Sequence, residues 1–73
     1  MQAEWVKLAT FGSGLEADIV RARLEEADIP VQLRGQQIGA FGPSFQGPVP
    51  GGVDVYVPSP ELAHARELLD HTA

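Results

Sequence analysis

The sequence predicts an α+β two-layer sandwich of order β-α-β-β-α, with a three-stranded sheet and both helices on one of its faces. Three observations predict it. Segments with an apolar residue at every second position alternate with segments whose apolar residues recur every three or four, which are the periods of strand and helix. Serine and proline stand where helices start. Glycine and proline gather in one stretch, between the second and third strands.

Residues 5–11, WVKLATF, read as the first strand, with Val6 and Leu8 on one side and Trp5, Lys7 and Ala9 on the other. Gly12, Ser13 and Gly14 end it. Ser13 with Glu16 forms S-x-x-E, a capping box in which the hydroxyl meets an orphan N–H and the carboxylate reaches back. The helix LEADIVRARLEEA follows. Its Ala17, Val20, Leu24 and Ala27 make one apolar stripe, and Leu15, Ile19 and Ala22 make a second on nearly the opposite side. A helix on a sheet needs only one such face. The second helix is the expected cover for the extra stripe, and another chain, as in a homodimer, is the alternative. Arg21 can pair with Asp18 and Glu25 at helical spacing.

Pro30 pushes Ile29 out of helical space and ends the helix. Residues 30–34, PVQLR, read as the second strand. Residues 35–52 hold Gly35, Gly39, Gly42, Gly47, Gly51 and Gly52 with Pro43, Pro48 and Pro50, so a long loop is expected there, anchored by Ile38, Phe41, Phe45 and Val49. Residues 53–57, VDVYV, are the clearest strand. Ser59 is expected to cap the last helix with Pro60 in its first turn. There Leu62, Ala65 and Leu69 form the core stripe, joined by Leu68.

A strand–helix–strand unit joins parallel strands by a right-handed crossover, and the third strand can return antiparallel. The assembly is then a ferredoxin-like split βαβ with three strands. Its core draws on Val6, Leu8, Val31, Leu33, Val53, Val55 and Val57 from the sheet and on Ala17, Val20, Leu24, Leu62, Ala65 and Leu69 from the helices. The other sheet face, with Trp5, Lys7, Gln32, Arg34, Asp54 and Tyr56, is left uncovered.

Bulk properties narrow the function. The 73 residues suit a single domain, 1–73, and no cysteine offers a disulfide or a thiolate ligand. A net charge of −5, from ten acidic and five basic residues, argues against nucleic acid and against an anionic membrane surface. No apolar run nears the roughly 20 residues of a membrane span. No signal peptide is expected from MQAEWVKLATF, and a cytoplasmic location is the default.

The residues also carry a resemblance. VKLATFGSGLEADIVRARLEEADIPVQLRG, through Glu16, Ala17, Leu24, Glu25, Ile29 and Pro30, resembles the opening of a small bacterial family, the putative prokaryotic signal-transducing proteins. GGVDVYVPSPELAHARELL, through Gly51, Gly52, Val57, Pro58, Ala65, Arg66, Leu68 and Leu69, is similar to the family's close. The resemblance implies a ferredoxin-like fold of the kind seen in nitrogen-regulatory PII proteins, and a signalling role that rests on that fold analogy. In such folds the loop after the second strand contacts effectors. One departure stands out, since Asp28 occupies the place where the family usually has Gly.

Catalysis is not expected. Ser13, Ser44 and Ser59 are explained as caps or loop residues, and Glu25 and Glu26 point apart on their helix. His64, Glu67 and His71 share a helix face, but the histidines lie about 10 Å apart along the axis, too far to share an ion easily. The Gly-Ser-Gly turn at 12–14 precedes a helix N-terminus, but its serine serves as the cap and Glu16 would repel an anion. No cofactor or metal is expected. A binding site is, and two rival placements stand for it, the first preferred. A small-molecule site would use Arg34, Gln36, Gln37, Phe41 and Phe45 around the loop, whereas a protein-binding site would use Trp5, Arg34, Asp54 and Tyr56 on the open sheet face.

Overall fold

The computed structural model of the chain describes residues 4–35 and 48–70. Strand β1 spans Trp5–Ser13, helix α1 Gly14–Glu26, β2 Gln32–Arg34 and β3 Pro48–Pro58; a 3₁₀ turn, Ser59–Glu61, leads into helix α2, Leu62–Asp70. The sheet order is β1-β3-β2, and β3 runs antiparallel to both neighbours. The first two strands are therefore parallel and joined through α1, with β3 inserted between them.

Val53, Val55 and Val57 alternate along the central strand and are all fully buried. Ala17, Val20 and Leu24 of α1, Ile29 and Ala65 of α2 complete the same cluster, with Val6, Leu8, Phe11, Leu33, Leu62 and Leu69 among the half-buried residues around it. Truncating a buried leucine to alanine costs about 2–5 kcal/mol. A chain of this length has about 4–11 kcal/mol of stability in all, so Leu24 alone carries a large share.

The first strand departs from strict alternation. Lys7 faces Tyr56 and Ala9 faces Val55, so Leu8 is one residue too many and forms a bulge. The bulge shifts the phase. Phe11 joins Leu8 on the core, opposite Val53, and Thr10 rather than Ala9 takes the outer face opposite Asp54. The expected strand 5–11 also runs on to Ser13, which pairs with Pro48 before α1 begins.

The start of β3 is a second correction. Residues 48–52 belong to the strand, not to the loop expected over 35–52. Among the described residues the pairing of β2 ends at Arg34 opposite Asp54, and Pro48 pairs with Ser13 of β1 alone, an edge position where proline is tolerated. Gly51 and Gly52, at φ of 84° and 83°, supply the irregularity between the Val53 and Pro48 pairings.

The helix ends follow local chemistry. The Glu16 N–H donates to Ser13 Oγ at 3.2 Å, as a cap requires, but the Glu16 carboxylate accepts from the Ser13 hydroxyl at 3.1 Å rather than from its N–H. Glu25 and Leu24 carbonyls accept from the Asp28 and Ile29 N–H groups, each at 3.0 Å, with Asp28 left-handed at φ 61°. This is a Schellman ending, and it tucks Ile29 against Leu24. It buries Ile29, which reading Pro30 as a simple stop had left out of the core. At α2, Ser59 is no side-chain cap: the chain enters through the 3₁₀ turn, and the Ser59 N–H donates to the Glu4 carbonyl at 2.7 Å.

The second stripe of α1 is not covered by α2. Leu15 and Ile19 are 46% and 52% exposed, and Ala22 is exposed as well. Two helices lying side by side on a sheet meet at their flanks, about a quarter-turn from the sheet. Leu15, Ile19 and Ala22 lie half a turn from the buried Ala17, Val20 and Leu24, on the crest.

Candidate functional site

The register builds the outer sheet face in two rows. Lys7, Tyr56 and Gln32 lie side by side across β1, β3 and β2, and the next row holds Thr10, Asp54 and Arg34. Side chains at positions i and i+2 of a strand share a face. Gln32 and Arg34 therefore project together, as do Asp54 and Tyr56.

Arg34 does not pair with Asp54 across the strand. Its guanidinium carbon lies 4.1 Å from the centroid of the Tyr56 ring. Its Nη2 and Nε donate to Gln32 Oε1 at 2.6 and 3.2 Å. A cation over an exposed aromatic ring contributes about 0.5–1 kcal/mol. The two hydrogen bonds and the ring together hold a long side chain in one place. Of the five guanidinium N–H donors, those not aimed at Gln32 stay available to a partner. Asp54 is braced separately, accepting from Thr10 Oγ1 at 2.6 Å.

The face thus presents a fixed cation, a fixed carboxylate and the half-buried Tyr56 ring, with exposed Lys7 alongside. Trp5 is also half-buried and lies at the start of β1, opposite Pro58 at the end of β3. Arginine and aromatic side chains are the residue types that dominate protein interfaces, because they offer large contact area with little freedom to lose. An arginine with free N–H groups is suited to a carboxylate.

Elsewhere the chemistry is sparse among the described residues. His64 is exposed on α2, in the other layer, with Nδ1 3.7 Å from Glu61. Among the described residues no group of three histidine or carboxylate residues could hold a metal ion. Arg21 bonds both Asp18 and, at 2.7 Å, Glu25; the Asp18 hydrogen bond, more than any other effect, raises its pKa. Among the described residues no helix is long and apolar enough to cross a membrane.

A family model described as putative prokaryotic signal transducing protein matches residues 5–72. The chain belongs to that family. No curated protein and no solved structure matches it. The family match runs from the first residue of β1 past the end of α2, so it takes in every strand and helix that builds the outer face.

Of the residues expected to form sites, Arg34, Asp54 and Tyr56 come together on this family member's sheet face, with Trp5 at its margin. Gln36, Gln37, Phe41 and Phe45 lie outside the described residues, as does His71. Thr10 was missed. Strict alternation from Val6 sends Thr10 inward and Phe11 outward, which is chemically the wrong way round. That inversion was the readable sign of a bulge before residue 10.

Proposed function

We propose that the chain is a small cytoplasmic binding and regulatory module of prokaryotic signal transduction, without catalytic activity, that engages a partner protein through the outer face of its sheet. The observation that carries this reading is the Arg34 guanidinium stacked on Tyr56 at 4.1 Å and anchored by Gln32. A surface arginine ordinarily loses rotamer freedom when it is captured by a partner. Here much of that cost falls on folding instead, which is how a small flat face can hold a partner at all.

The partner's chemistry follows from the face. It presents a carboxylate to Arg34 and Lys7, and a flat apolar or aromatic group to Tyr56 and Trp5. The family's description supports the signalling context. The strand order β1-β3-β2, with two helices on one side, is that of a ferredoxin-like split βαβ with three strands, and we read the fold so.

The test is affinity capture with quantitative proteomics, followed by titration of the captured partner. Arg34→Ala and Tyr56→Ala should each weaken binding by about 30-fold, the loss expected for a residue central to an interface. Phe41→Ala with Phe45→Ala should leave it intact. The opposite pattern would move the site to the segment between β2 and β3 and end the sheet-face reading.

A further inference from the structure

The crest of α1 carries Leu15 and Ile19, the exposed large hydrophobic residues of the described chain, together with Ala22. Their spacing of four and then three is the seam of a two-helix pairing. The charges beside this seam are arranged unequally. On one flank Asp18, Arg21 and Glu25 satisfy one another. On the other flank Glu16 and Arg23 each follow a seam residue by one position, and among the described residues neither makes an ion pair. They are seven residues apart, about 10 Å along the axis, too far to meet within one helix.

We infer that this face pairs with the same face of a second copy of the chain, antiparallel, about a two-fold axis at Ile19. That axis sets Ile19 against Ile19 and Leu15 against Ala22 of the other copy. It also sets Glu16 of each copy beside Arg23 of the other, so both unpaired charges find partners, twice. Glu16 Oε1 accepts from the Ser13 hydroxyl, and its second oxygen is free for this contact. A parallel pairing does less. It sets Arg23 beside Asp18, whose carboxylate Arg21 already holds, and it leaves Glu16 without a partner. The inference does not rest on the sheet-face reading. The two surfaces lie on opposite layers, so a dimer joined at α1 presents two sheet faces outward, and a repeated partner would be held at both.

Three side chains per copy make a small seam, below the roughly 1,200 Å² of a stable interface, so the dimer is weak and is sought at high concentration. Sedimentation velocity from about 20 μM to 1 mM should show reversible dimerisation of the intact chain. Ile19→Asp should remain a monomer throughout with an unchanged melting temperature, since Ile19 is half exposed. Glu16→Lys and Arg23→Glu should each weaken self-association about tenfold, because two attractive rim contacts become repulsive in each. An equimolar mixture of those two variants should associate at least as well as the unaltered chain, because each then supplies the charge the other lacks. A monomer at 1 mM, a dimer that survives Ile19→Asp, or a mixture that fails to associate would each overturn the inference.

Discussion

Asp28→Gly should stabilise the protein, and the size of the effect can be worked from the Schellman ending of α1. Asp28 holds φ at 61° while its N–H and that of Ile29 donate to the carbonyls of Glu25 and Leu24. A left-handed L-residue costs about 1–2 kcal/mol, and aspartate lies near the low end because its short polar side chain tolerates the conformation. Glycine removes that cost but returns about 0.5 kcal/mol through the greater freedom of the unfolded chain. A second effect has the same sign. Asp28 adds a negative charge at the negative end of the helix dipole, just after Glu25 and Glu26, worth about 0.3–1 kcal/mol at low ionic strength. The sum is about 1 kcal/mol, or a rise of about 4–8 °C in melting temperature for a domain of this size. Thermal melts followed by circular dichroism measure it. Asp28→Asn separates the contributions, since asparagine removes the charge yet keeps a Cβ in the left-handed region. The Asn gain should fade at 1 M salt, and the further gain from Gly should persist. A glycine variant no more stable than the asparagine variant would refute the backbone argument.

Two further substitutions probe the local chemistry that places the sheet face. Gly52→Ala should cost about 2–4 kcal/mol, because the residue has φ 83° and an added Cβ would stand 2.8 Å from Thr10 Cγ2 and 3.1 Å from the Phe11 carbonyl oxygen. Gly51→Ala, at φ 84° but in open space, should cost only the conformational part, about 1–2 kcal/mol; equal losses in urea unfolding would contradict the close approach of Gly52 to β1. Ser13→Ala should lower stability by about 1 kcal/mol through loss of the α1 cap, and Ser13→Thr, which keeps the hydroxyl, should restore most of it. If the threonine variant melts with the alanine variant, the hydroxyl is not what holds the helix start.

The parts of the fold legible in the sequence were those governed by one local rule at a time. Alternation alone places Val53, Val55 and Val57 in the core, and the spacing of Ala17, Val20 and Leu24 places α1 against them. The Ser13 cap needs only S-x-x-E. What escaped were positions where two rules compete. The glycines and prolines of 48–52 signal a loop by composition, yet β1 runs on to Ser13 and pairs with Pro48, and among the described residues β2 stops at Arg34, short of that level, so the objection to proline falls away. Pro30 signals a stop and Asp28, at the family's glycine position, marks the turn, but neither signal alone shows that the turn swings Ile29 into the core. On the sheet face, alternation finds Arg34, Asp54 and Tyr56. Single-strand patterns cannot show that Arg34 would turn from the opposite charge of Asp54 toward the Tyr56 ring, because that choice depends on Gln32 lying beside it and on Thr10 already engaging Asp54.

The apolar crest of α1 poses the same problem at the level of layers. Periodicity reveals two stripes on the helix but does not say which neighbour each will meet. A sheet can bury only the side that faces it, and a second helix on the same sheet approaches at the flank. Whatever the second helix does, a stripe opposite the first is left on the outside of a two-layer sandwich. Leu15 and Ile19 at half exposure are therefore a consequence of the architecture. The placement of Glu16 and Arg23 on one flank, either side of Ile19, is not: the Ser13 cap and the helix dipole account for each charge at its own end, but not for their lying on the same flank of the seam. That difference is why the crest points to a second copy of this chain rather than to a general tolerance of surface leucines.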